Sequence, residues 1–306
     1  MASGIYHVPV MLQEVMTGLQ IDPSGMYVDC TFGGGGHTRG ILERLGPQGR
    51  VFAFDQDPDA RINLPEDSRL TFIPHNFRHL QRFLRFYKVP PVSGVLADLG
   101  VSSHQIDEGA RGFSTRFDAR MDMRMNPSQQ VDATHVIETY PEERLHRLFE
   151  QYGEVTNAKT LARQIVAARQ QGSIAGIRAF RQALYPVVRG NPEKYFAQVF
   201  QALRIEVNDE LGALGELLVQ VPDVLAAGGR VAVITFHSLE DRLVKNYFRN
   251  ESFEDTPEQD LFGRSPDRKL RTVTRKPVRP LPLELQENPR SRSAKLRIAE
   301  RIGITQ

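Results

Sequence analysis

Three aspartates stand where chemistry is easiest to place. Asp29 follows Tyr27-Val28, Asp55 follows Val51-Phe52-Ala53-Phe54, and Asp98 follows Val95-Leu96-Ala97. Each closes a short apolar run of the kind that forms a buried strand of a parallel sheet. In an open parallel sheet, ligands sit outside the carboxyl ends of the strands, so the pattern aims three carboxylates at one crevice. Between the first two lie Gly33, Gly34, Gly35 and Gly36, followed by His37. Glycines let a backbone turn sharply and approach a ligand where a Cβ would collide. Asp55 falls 22 residues after Gly33, close to the roughly 20-residue offset at which an acidic side chain meets ribose hydroxyls. A further apolar run, Arg230 to Phe236, delivers His237, Glu240 and Asp241 to the same edge.

The glycine loop departs from the phosphate-binding patterns. G-x-G-x-x-G needs a third glycine where Thr38 or Arg39 stands, and G-x-x-x-x-G-K-[ST] is absent. An acidic residue entering the loop would repel a pyrophosphate, whereas Asp29 suits the amino group of a methionine tail. The ligand favoured is therefore S-adenosylmethionine rather than NAD or ATP. By itself the loop is also compatible with a tight strand-to-helix turn that binds nothing.

These residues need a scaffold of alternating strands and helices. Met11, Val15, Met16 and Leu19 have helical spacing, after an extended His7-Val8-Pro9-Val10. Strands are expected at 27–28, 50–55, 70–74, 92–101 and 230–236, with a terminal antiparallel pair at 271–274 and 296–299. Phe77 follows the third strand, where its ring either stacks on an adenine or packs into the core. From 104 the pattern breaks into a polar stretch containing Met121, Met123 and Met125. These line a groove or, with slight preference, pack against the core. Helical stripes then run through 142–152 and 157–170. The expected division is 1–108 with 200–306 as a discontinuous α/β domain, and 109–199 as an inserted, mainly helical one that recognises substrate.

With 306 residues, 40% hydrophobic and 25% charged, the composition is that of an ordinary globular protein. No apolar run approaches the ~20 residues of a membrane span, and the start carries no secretory pattern. The single Cys30 precludes an internal disulfide and fits a reducing, cytoplasmic setting. Histidines show no metal-ligand spacing, so no metal is expected. The net charge of +2 hides an asymmetry: Arg264 to Gln306 holds twelve Lys or Arg against four Asp or Glu, leaving the rest at −6. Such a segment is either a solvated tail or a contact for a polyanion.

Taken together, the motifs resemble one family, the bacterial ribosomal small-subunit RNA cytosine-N4 methyltransferases of the MraW or RsmH type. His7 to Val10 is similar to its H-x-P-V, Asp29 to His37 to its D-x-T-x-G-x-G-G-H, and Asp98 to Gln105 to its D-L-G-V-S-S-x-Q. Arg111 to Ser114 resembles R-G-F-S, Asp122 to Met125 D-M-R-M, Tyr152 to Glu154 Y-G-E, and Phe200 to Ile205 F-Q-A-L-R-I. Phe236 to Asp241 resembles F-H-S-L-E-D, and Asn288 to Ser293 N-P-R-S-R-S. One departure is Phe117 to Met121, where many members have Gly-Pro-Leu, and it leaves that loop's contacts open.

The resemblance covers nearly the whole chain. It implies a class I (Rossmann-like) S-adenosylmethionine methyltransferase sheet with an inserted helical domain. It also implies a cofactor set at Gly35, Gly36, His37, Asp55, Phe77, Asp98 and Gln105, to which the residue reading adds Asp29 and Gly33. The implied substrate is a cytidine in the decoding region of 16S rRNA, methylated on its exocyclic N4, in RNA or small-subunit particles; a homodimer is left open. Asp98 stands where other amino-methyltransferases carry the acid or amide that polarises the amine, so it is the first candidate proton acceptor, with His237 and Asp241 as runners-up. The family equally implies Asp98 as a cofactor contact. Arg290, Arg292 and Lys295 are the expected RNA contacts. The competing readings are a non-catalytic RNA-binding or assembly factor with a retained cofactor pocket, and a nicotinamide-dependent oxidoreductase. The missing third glycine argues against the latter.

Overall fold

The computed structural model describes residues 9–255 and 267–303. His7 and Val8 of the first motif, and most of the polar stretch expected at 253–270, lie outside those residues. The chain divides into two compact units: residues 1–100 with 212–306, and 101–211.

The first unit is built on seven strands: β1 (Met26–Asp29), β2 (Arg50–Phe54), β3 (Leu70–Ile73), β4 (Val92–Asp98), β5 (Leu225–Thr235), β6 (Leu270–Thr272) and β7 (Lys295–Arg301). Their order is β3-β2-β1-β4-β5-β7-β6. The first five are mutually parallel, and β7 enters antiparallel to β5 and β6. The expected terminal antiparallel pair is thus the far edge of the same sheet.

Side chains alternate across this sheet, as a period of two requires. Val28, Phe52, Phe54, Val95, Ala97, Val231 and Val233 enter one buried cluster, which the helices Leu80–Phe86, Glu210–Val224 and Ser238–Asn250 help to close. Tyr27, Val51, Leu96, Ala232 and Ile234 enter the other, under the helices Leu12–Leu19 and Gly36–Leu42. With both faces covered, the parallel strands read as near-continuous apolar runs, and Asp29, Asp55 and Asp98 fall at or just beyond their carboxyl ends.

The second unit is helical, with Ala133–Thr139, Glu142–Gln151, Ala158–Gln171, Ile177–Leu184 and Pro192–Asn208 around one apolar cluster. Its bounds differ from the expected 109 and 199. Tyr195, Phe196, Val199, Phe200, Leu203 and Val207 face into this cluster, so the helix through 200–208 belongs here and not with the sheet. Met121 and Met123 are buried in the same cluster, which settles the methionine stretch as core. The R-G-F-S and D-M-R-M motifs lock one another: Arg111 Nη2 donates to the carbonyls of Arg124 and Met125 at 3.0 and 3.1 Å. Gly112, at φ +73°, leaves no room for a Cβ, which would lie 2.5 Å from the Arg120 carbonyl oxygen. Buried Asn208 completes the lock, accepting from Met125 N at 2.7 Å and donating to Met123 O at 2.8 Å.

Candidate active site

Strand β1 ends at Asp29, and the chain turns through the glycines into the helix Gly36–Leu42. The turn needs glycine at specific points. Gly33 and Gly35 adopt φ +50° and +74°, and a Cβ on Gly35 would sit 2.9 Å from Phe32 Cζ. Phe32 cannot give way, because it is buried and packed edge-on against Phe72, 5.5 Å between ring centres. A Cβ on Gly36 would meet the Pro9 ring at 2.9 Å, whereas one on Gly34 would meet nothing.

Asp55, just beyond the end of β2, holds the loop from below. Its Oδ2 accepts from Gly33 N at 2.7 Å and its Oδ1 from Asp57 N at 2.9 Å. Asn63 Nδ2 donates to Gly33 O at 3.1 Å, and Arg39 Nη1 to Gly34 O at 2.7 Å. Burial raises the Asp55 carboxyl to about 6, and the two amide donors only partly offset it. Each carboxylate oxygen can accept a second bond, so ribose hydroxyls can still be received.

Asp29 is wholly buried, and both its oxygens accept within the loop: Oδ1 from Thr31 N at 3.0 Å and Oδ2 from Thr38 Oγ1 at 2.7 Å. It braces the loop. Thr31 in turn accepts Asp98 N–H at its Oγ1, 2.7 Å away, so one threonine ties the ends of β1 and β4 together. The D-x-T spacing was the available signal for that threonine. Asn63 had none.

Asp98 is the exceptional group. Its Oδ1 is buried without a hydrogen-bond partner among the described residues, and its Oδ2 lies 3.6 Å from His37 Nδ1. His37 Nε2 is 2.9 Å from the Val10 carbonyl, which can only accept. The proton is therefore assigned to Nε2, and Nδ1 presents a lone pair to Asp98. Two acceptors face each other unless the carboxyl carries a proton. Burial first, then the negative charges of Asp29, Glu240 and Glu284, hold Asp98 well above the usual carboxylate range, in accord with that geometry. Burial lowers His37 and keeps it neutral. Among the described residues no Lys or Arg pairs with Asp29, Asp55 or Asp98. The strand ends form an acidic pocket short of positive charge, fit for a cationic ligand.

The runners-up are held by their partners. Asp241 is gripped by Lys295 Nζ at 2.9 Å and Arg297 Nε at 2.6 Å. Burial would raise it, but these two cations outweigh burial and hold it below the usual range. An ion-paired, acidified carboxylate is a poor proton acceptor. Lys295 is engaged in the same ion pair. His237 is the N-cap of Ser238–Asn250: its Nδ1 accepts Glu240 N–H at 3.4 Å, while Glu240 Oε2 accepts Phe236 N–H at 2.8 Å. Its Nε2 lies 3.2 Å from Glu240 Oε1.

Phe77 is half-buried at the start of a short 3-10 turn capped by Asn76 and packs against the sheet core. Gln105 belongs to the helical unit, where it closes a capping box with Ser102. Arg292 is exposed and Arg290 half-buried.

A parallel sheet of this order with one antiparallel strand, a glycine loop after β1 and acidic ends on β1, β2 and β4 defines a class I methyltransferase. The description "MraW methylase family" matches residues 4–302, and the chain belongs to that family. A protein of Christiangramia forsetii named ribosomal RNA small subunit methyltransferase H is 50% identical over 300 residues, covering 97% of this chain and 98% of that one. A protein of the same name from Parabacteroides distasonis is 52% identical over 301 residues, with the same shares.

Proposed function

We propose that this protein uses S-adenosylmethionine to methylate the exocyclic N4 of a cytidine in the decoding region of 16S rRNA, in the cytoplasm. The observation that carries the proposal is Asp98: a buried, unpartnered carboxyl oxygen at the end of β4, beside His37 and the further acids Asp29, Glu240 and Glu284. When bound, the cofactor supplies a methyl activated on a sulfonium, and the positive charge that this pocket lacks. Asp55 would hold the ribose hydroxyls while keeping Gly33 in place, and Phe77 would border the adenine. Gly35, Gly36 and His37 shape the wall nearest Asp98.

The N4 lone pair of cytosine is delocalised into its ring. Asp98 would accept one N–H of the amine, localise that lone pair, and take the proton as the C–N bond forms; such general-base help is worth ~10²–10⁴-fold. Its raised affinity for protons suits this role, provided that a cationic cofactor restores the charged form first. A base must leave its stack to reach a buried carboxylate, and the helical unit 101–211 is assigned to substrate recognition. Mass spectrometry of 16S rRNA nucleosides from cells with and without the protein tests the reading: loss of N4-methylcytidine is expected. An unchanged profile would leave the alternative, an assembly factor with a retained pocket.

A further inference from the structure

Residues 273–293 run along β7 and past its first residue. Val273 and Thr274 donate to the Ile298 carbonyl at 2.9 and 3.2 Å, and Val278 exchanges both backbone hydrogen bonds with Leu296 at 2.9 Å. Asp98 is in register with Ile234, Ile234 with Leu296, and Leu296 with Val278. Val278 therefore lies level with Asp98, three strand spacings away, about 14 Å at the usual separation. The residues after it, with the short helix Pro282–Glu287, continue beyond the carboxyl edge of the parallel strands.

That helix is pinned at the pocket rim. Glu284 Oε1 accepts from Met11 N at 2.8 Å, and the neighbouring Val10 carbonyl is the partner of His37. Glu284 is close enough to Asp98 to help raise it. With Glu284 turned inward, Leu281 and Leu283 point out, 61% and 64% exposed. Around them Arg275, Lys276, Arg279 and Arg292 are exposed, and none has an acidic partner among the described residues. Several arginines elsewhere in the sheet unit, such as Arg69, Arg230, Arg271 and Arg297, are paired.

We propose that this rim is the track for the substrate strand. Leu281 and Leu283 pack against the bases that flank the extruded cytidine, and Arg275, Lys276, Arg279 and Arg292 take the phosphates on either side. Apolar side chains hold bases apart once one has left the stack, and a row of unpaired cations tracks a single-stranded backbone. The proposal rests on the reading of an RNA substrate and adds where the strand lies.

The test uses the full chain with small ribosomal subunits and with a short single-stranded RNA oligomer. Replacing the four cations by Ala should flatten the plot of log affinity against log salt by about three units, at ~0.7 per phosphate contact. The pair Leu281→Ser and Leu283→Ser should slow single-turnover methylation at saturating cofactor by roughly tenfold, as loss of apolar wedges between unstacked bases implies. The salt slope should stay intact, and so should S-adenosylmethionine affinity, which monitors folding. A wild-type salt slope that survives the four substitutions overturns the track while leaving the RNA reading in place. A wild-type protein that binds no RNA overturns both. RNA binding that loses its slope without any methylation supports the track and sinks the enzymatic reading.

Discussion

Asp55 offers a prediction whose two halves have opposite sign. In the folded protein its carboxyl is raised from the ordinary 3.8 to about 6, chiefly by burial. A raised folded value means that the contribution to folding is fully present below the unfolded value and is lost as pH climbs through about 6. At ~1.36 kcal/mol per unit, the roughly two-unit difference costs the fold about 3 kcal/mol at neutral pH. Cofactor binding goes the other way. Ribose hydroxyls donate to the ionised form, so affinity should rise as pH climbs through the same value. At about pH 5 only about one molecule in eleven holds Asp55 ionised, so affinity for S-adenosylmethionine should be about tenfold weaker than at about pH 8.

Calorimetric titration across that range, repeated with Asp55→Asn, isolates the residue. Asparagine keeps one acceptor but places an NH2 against the amide of either Gly33 or Asp57, both of which now donate to the carboxylate. The variant should bind at least tenfold more weakly at about pH 8, as loss of a charge-assisted bond implies, with the gap narrowing toward about pH 5, and should lack the step near pH 6. In urea unfolding, the stability difference between wild type and variant should shift against the wild type by about 2.4 kcal/mol from about pH 4 to pH 8. A wild-type affinity that is flat across the range, or a step that survives in Asp55→Asn, would refute the reasoning and remove Asp55 from the ribose site.

The same geometry fixes three further outcomes. Asp98→Asn should bind cofactor nearly normally yet transfer methyl ~10²–10⁴ times more slowly in single-turnover assays at saturating cofactor; full rescue by cofactor would make Asp98 a binding residue only. Asp241→Asn should cost about 3 kcal/mol in urea unfolding, because Arg297, 8% exposed, would lose its ion pair, with cofactor affinity little changed. A large fall in transfer rate in a stably folded Asp241→Asn would instead return Asp241 to the chemistry. Gly35→Ala should lower cofactor affinity tenfold or more, since φ +74° and the Phe32 ring both oppose a methyl group; binding like wild type would mean that the loop relaxes without consequence.

Much of the first unit is legible because a parallel sheet covered on both faces leaves strands as apolar runs and pushes their polar residues to the ends. Asp29, Asp55 and Asp98 can therefore be placed at one edge from the sequence alone. Their partners cannot be. Asp29 and Asp98 have the same local appearance, an acid after a buried strand, yet Thr31 and Thr38 consume one and no side chain consumes the other. Asp241 looks like a candidate base because its two cations arrive from residues 295 and 297, more than fifty positions away. The cap at His237 escapes a sequence reading because histidine is an uncommon N-cap. The boundary near 200 fails for a related reason: the apolar stripe of Pro192–Asn208 and that of Glu210–Val224 run on without a break in pattern, and only packing assigns them to different cores.

The charge of the molecule shows a division of labour once these partners are known. A net +2 says little, because the signs are sorted in space. The ends of β1, β2 and β4 carry acids without Lys or Arg partners among the described residues, and the carboxyl groups there are raised, chiefly by burial. The segment from Arg275 to Arg292, on the same sheet edge, carries Arg275, Lys276, Arg279 and Arg292 exposed and without acidic partners among the described residues, and its Glu284 is bonded to Met11 N. Had Arg292 or Arg279 folded into the pocket, both halves would be neutralised and neither ligand would find its complement. The ion pair of Asp241 with Lys295 and Arg297 stands at the seam, taking two cations out of play at the end of β7 and fixing the strand from which the rim departs. On the proposed reading, a cationic cofactor and a polyanionic substrate meet at that edge, each drawn to the side that repels the other.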